Sequence, residues 1–119
     1  MTDLMQKKCV PCEGDAEPLT REQINELILQ VSAGGGSASG GEGWEVVEDK
    51  KIMREFKFKN FVQAVDFVNR VADIAEIEDH HPDIHIFYNR VILELWTHAI
   101  DGLSENDFIV AAKINAMPY

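Results

Sequence analysis

Apolar residues recur at helical spacing in three stretches of this chain and alternate with polar residues in four others. Ile24, Leu27, Ile28 and Val31 form the first helical stripe, behind a Thr20 and Gln23 pair able to cap each other's backbone. That helix is predicted to stop near Ser32. Residues 44–49 and 52–58 read as two strands joined at Asp49-Lys50-Lys51, with Ile52, Phe56 and Phe58 on one face and Met53, Glu55 and Lys57 on the other. Asn60 is positioned to cap a long helix over 61–77, whose buried side is predicted to carry Phe61, Ala64, Val65, Val68, Val71, Ala72 and Ala75. Ile84, Ile86 and Tyr88 alternate with Asp83, His85 and Phe87, and Asn89-Arg90 is short enough for a hairpin turn. Beyond it Val91, Leu93, Leu95 and Thr97 face one way, while Ile92, Glu94, Trp96 and His98 face the other. Ser104 opens a last helix, with Asp107 at the reciprocal capping position.

The order α-β-β-α-β-β-α, two hairpins separated by a helix, predicts an α+β fold: a four-stranded antiparallel sheet with three helices on one face. Residues 1–19 are polar and aperiodic, so a flexible N-terminal arm is expected there. Residues 20–119 make one domain, interrupted by a Gly/Ser-rich loop at 33–43 that cannot bury a core. At 119 residues there is room for one such domain and no more.

Charge narrows the partners. The chain carries 21 acidic and 11 basic residues, a formal net charge of -10, which argues against direct binding of nucleic acid and leaves a weakly charged small molecule as the better ligand. No apolar run approaches the ~18 residues of a membrane span. The N-terminus lacks the basic-then-apolar layout of a secretion signal, so a cytoplasmic protein with reduced thiols is expected. Cys9 and Cys12 stand alone, without further ligands for a structural zinc site.

The chemistry concentrates around His80-His81-Pro82, with Glu76 and Asp79 before it and His98 on the next apolar run. An ordinary imidazole, with a pKa of ~6.5, exchanges a proton near neutral pH without help from a metal. His80 is predicted at the C-terminal end of the long helix, where exposed carbonyls, Glu76 and Asp79 all favour a cation. His81 precedes proline and is held extended, so the two adjacent rings diverge. No helical His-x-x-x-His pair supports a metal, and none is expected. His85 reads as an ordinary strand histidine, and Trp44 and Trp96 both offer flat apolar surface.

Glu76-x-x-x-His80-His81-Pro82, Tyr88, His98 and Asp107, together with Gly102-Leu103-Ser104-Glu105-x-Asp107 and the upstream Trp44, resemble the pattern of the pterin-4a-carbinolamine dehydratases. The resemblance covers residues 19–117. It implies a dehydratase that removes water from a 4a-hydroxytetrahydropterin to give a quinonoid dihydropterin, recycling the pterin cofactor of aromatic amino acid hydroxylases. It implies no metal, no organic cofactor and a homodimer or homotetramer. For the site, the resemblance implies acid–base roles for His80 and His98, with His81 in the catalytic set but chiefly binding substrate. Glu76 and Trp44 would also bind substrate, and Asp79, Tyr88 and Asp107 would support. The alternative on the same fold is a non-catalytic binding or assembly module, because the family's animal form also serves as a dimerisation cofactor for a transcription factor.

Overall fold

The computed structural model describes residues 17–33 and 43–117. Thr20 and Gln23 form the expected reciprocal cap, each backbone N–H donating to the other's side-chain oxygen, and helix α1 runs over Arg21–Ala33. Strand β1 is short, Glu45–Val47, and pairs antiparallel with β2, Lys51–Lys57. Their turn comes one residue earlier than the sequence suggests, because Glu48 and Asp49 both adopt positive φ. That left-handed pair matches the twist of a tight hairpin. Trp44 therefore lies outside the strand.

Helix α2, Phe61–Glu78, starts where Asn60 accepts the Gln63 N–H on its side chain. Its buried face differs from the predicted stripe. Ala64, Phe67, Val71, Ala75 and Glu78 are buried, whereas Phe61 is 49% exposed and Ala72 faces water. The reason is aromatic packing from the sheet. Phe67 sits 4.6 Å from Phe56 and 5.0 Å from Phe58, ring centre to ring centre, and that contact sets the helix rotation.

Strands β3, Asp83–Phe87, and β4, Arg90–Leu95, form the second hairpin. The sheet order is β1-β2-β4-β3, antiparallel throughout, so β4 is interior and β3 forms an edge. Alternation buries Ile52, Arg54 and Phe56 on β2 and Val91, Leu93 and Leu95 on β4 beneath the helices. Helix α3, Glu105–Asn115, closes the layer and is buried on most sides. The predicted α+β architecture is thus the observed one.

Four polar groups meet beside this core. Asn115 accepts hydrogen bonds from the Trp44 indole at 2.9 Å and from Arg54 at 2.6 Å, and donates to the Val31 carbonyl. Of the expected N-terminal arm, residues 1–16 lie outside the described residues, as do 34–42 of the Gly/Ser-rich loop. Residues at the end of the arm are tied down: the Leu19 N–H donates to the Leu103 carbonyl, and Pro18 lies against Gly102 so closely that a Cβ there would come within 2.9 Å. Among the described residues no helix is long and apolar enough to cross a membrane.

Candidate active site

Helix α2 ends because Asp79 takes a left-handed conformation, φ 53° and ψ 42°, and its N–H and that of His80 both return to the Ala75 carbonyl. This turn swings His80 off the helix axis toward α3. There its Nε2 lies 2.6 Å from Oδ1 of Asp107, whose side chain is fully buried. The other Asp107 oxygen accepts the Ser104 N–H and the Thr97 hydroxyl, both at 2.9 Å. Asp107 is the capping residue the sequence predicts, and it also orients His80. An ionised carboxylate only accepts, so Nε2 carries the proton and Nδ1 is left as the basic nitrogen.

Glu76, in the last turn of α2, does not reach His80. It holds His81 instead, Oε2 to Nε2 at 2.6 Å, on the exposed side of the turn. The acidic partner of His80 is thus Asp107 from α3, rather than Glu76 or Asp79.

His98 is not on a strand. Strand β4 ends at Leu95, Thr97 makes an isolated bridge with Gly102, and His98 opens a 3-10 turn that runs to Ile100. The alternation that buries Leu95 and Thr97 nonetheless continues, leaving Trp96 half-buried and His98 exposed. The His98 ring stacks on Trp96 with centroids 3.8 Å apart, and the Trp96 indole N–H donates to Asp83 at 3.1 Å. One hydroxyl links the two histidine elements: Thr97, which bonds to Asp107, immediately precedes His98.

Two expected participants sit elsewhere. Trp44 is 2% exposed, edge-on to Phe56, with its N–H engaged by Asn115, so its face is spent on the core rather than offered to a ligand. Tyr88 neither packs with Ile84 and Ile86 nor approaches His80. It occupies the β3–β4 turn at φ 55° and is largely exposed. That turn is at the far end of β3 from Pro82, roughly 17 Å along a five-residue strand. His85 lies on the open face, 3.7 Å from Glu94.

The structure adds a buried ion pair that sequence reasoning missed. Glu78, with its side chain 3% exposed, meets Lys113 of α3 at 2.7 Å. Its signal was present. Val71, Ala75 and Glu78 fall in one helical phase, placing a carboxylate where the stripe calls for an apolar residue. Glu78–Lys113 and His80–Asp107 together fasten the end of α2 to α3. Among the described residues no cluster of acidic, histidine or cysteine side chains could hold a metal ion.

Comparison with known proteins finds relatives of one family. The sequence pattern of the family described as Pterin 4 alpha carbinolamine dehydratase matches residues 17–117. A Nitrosospira multiformis relative bearing that family's name is 49% identical over 97% of this chain and 92% of its own. An Arabidopsis thaliana relative named Pterin-4-alpha-carbinolamine dehydratase 2, mitochondrial, is 44% identical over 98% of this chain and 60% of its own. A solved Brucella melitensis structure, described as a transcriptional coactivator/pterin dehydratase, superposes with a TM-score of 0.71 at 37% identity, covering 84% of this chain and 97% of that one.

Proposed function

The chain belongs to the pterin-4-alpha-carbinolamine dehydratase family, and from that footing we propose that it dehydrates a 4a-hydroxytetrahydropterin by histidine acid–base catalysis. The observation that carries this reading is the Asp107 carboxylate. It fixes His80 through one oxygen and, through Thr97, the backbone that presents His98.

The reaction needs two proton transfers. A base removes the proton from the ring nitrogen next to position 4a, and the freed pair forms the C=N bond of the quinonoid dihydropterin. The C–O bond at 4a breaks, and an acid protonates the departing oxygen so that water leaves. His80, with Nε2–H committed to Asp107 and Nδ1 open, suits the base. His98 supplies the acid. Solvent then returns the proton from one imidazole to the other, so the enzyme is unchanged. His81, oriented by Glu76 on the exposed side of the turn, binds substrate.

Tetrahydrobiopterin is the proposed parent of the substrate, in recycling of the cofactor of aromatic amino acid hydroxylases. No metal or organic cofactor enters these steps. The proposed setting is the cytoplasm and the proposed assembly a homodimer or homotetramer; the apolar side chains left exposed on α2 and at the β3 edge support the assembly. The Brucella melitensis description favours a second reading, a non-catalytic binding or assembly role on the same fold.

One assay separates the two. Dehydration of synthetic 4a-hydroxytetrahydropterin is followed with wild type, His80→Ala and His98→Ala. Wild type is expected to exceed the uncatalysed rate, and each variant to lose roughly 10²–10⁴-fold in turnover. A wild type no faster than buffer refutes the enzyme reading. His80→Ala altering assembly while sparing turnover removes His80 from the acid–base pair and makes it an interface residue.

A further inference from the structure

Three imidazoles gather at this end of the sheet, and each is held differently. His80 is fixed by the Asp107 carboxylate and His81 by the Glu76 carboxylate. Among the described residues, no hydrogen bond reaches either ring nitrogen of His98. What touches its ring is the face of Trp96, centroid to centroid 3.8 Å and inclined by 31°.

We propose that Trp96 and Asp83 are positioning residues for His98: the indole fixes the plane of the imidazole, and the Asp83 carboxylate fixes the indole. This deepens the acid–base reading above and rests on it. Asp83 is the first residue of β3 and follows Pro82, whose ring locks the backbone there. Its Oδ2 accepts the Trp96 N–H at 3.1 Å. The chain of contacts Pro82–Asp83–Trp96–His98 therefore ties the third histidine to the turn that carries the other two.

A stack suits a proton-transfer group in a way a hydrogen bond does not. It holds the ring's orientation while leaving both nitrogens at the free edge. The negative indole face also attracts an imidazolium, and donation of its N–H to a carboxylate makes that face more electron-rich.

The test uses the full chain and two readouts. In the proton NMR spectrum, the imidazole C–H signals of His98 are expected upfield of those of unstacked His85, through the indole ring current. Trp96→Leu should abolish that displacement and Asp83→Asn should reduce it. In the dehydration assay, Trp96→Leu should lower kcat by about tenfold to a hundredfold, as expected for a misaimed group. KM should stay within about twofold, and Trp96→Phe, which keeps an aromatic face, should recover most of kcat.

Unchanged His98 signals in Trp96→Leu would overturn the proposal, as would a raised KM at constant kcat, which would make Trp96 a substrate platform. If His98→Ala loses turnover while Trp96→Leu and Asp83→Asn retain it, the positioning role alone falls. If His98→Ala itself keeps full turnover, the acid–base role falls and the positioning role with it, even with the ring displacement intact.

Discussion

Asp107 accepts three hydrogen bonds with no exposure to water, and that density makes it the most sensitive single position in the site. Replacement by Asn keeps the shape but supplies one oxygen and one amine. If the oxygen serves the Ser104 N–H and Thr97, the amine faces His80 and forces Nε2 to accept. The proton then moves to Nδ1, the nitrogen that should be basic. Asp107→Asn is expected to fold and to lose roughly 10²–10⁴-fold in kcat, as a wrong tautomer does elsewhere. Asp107→Ala leaves buried donors without partners and should also cost about 3 kcal/mol in stability. Turnover and urea midpoints, measured side by side, separate these effects.

The unit that matters among the elements is the junction of α2 with α3. A helix ending in a left-handed Asp79 would leave His80 loosely aimed if nothing anchored the preceding turn. Glu78 and Lys113 provide that anchor. Removing one partner of a buried pair takes away attraction that offsets the other charge's loss of water. Lys113→Met is expected to cost roughly 3 kcal/mol, at the low end for buried pairs because Lys113 is 20% exposed. The double variant Glu78→Leu/Lys113→Met should return close to wild-type stability, since apolar packing of similar volume commonly replaces such a pair. A double variant no more stable than the single one would show that the junction needs the charges themselves.

At the scale of the whole molecule, several large apolar side chains stay uncovered among the described residues. Phe61, Val62 and Ile77 are exposed along α2, and Ile86, Phe87 and Tyr88 at the β3 edge. An edge strand with free backbone groups and apolar tips invites pairing. In the proposed homo-oligomer these surfaces lie between copies. Ile77→Lys and Phe87→Lys, each on exposed side chains, should fold normally and shift light-scattering mass toward the monomer. Unaltered mass in both variants would place the contact elsewhere.

The sequence by itself determined the architecture and the candidate histidines. Period and caps decide local structure, and Thr20, Asn60 and Ser104 each start a helix through bonds made within four residues. Strand alternation likewise carried Thr97 to the buried side. Tertiary structure decided the partners. Which carboxylate meets which imidazole, the rotation of α2 toward Phe56 and Phe58, and the withdrawal of Trp44 into the core all depend on contacts between residues distant in the chain. Periodicity reports the face a residue occupies. The identity of the group opposite depends on how the elements pack, and that is set by the whole core at once.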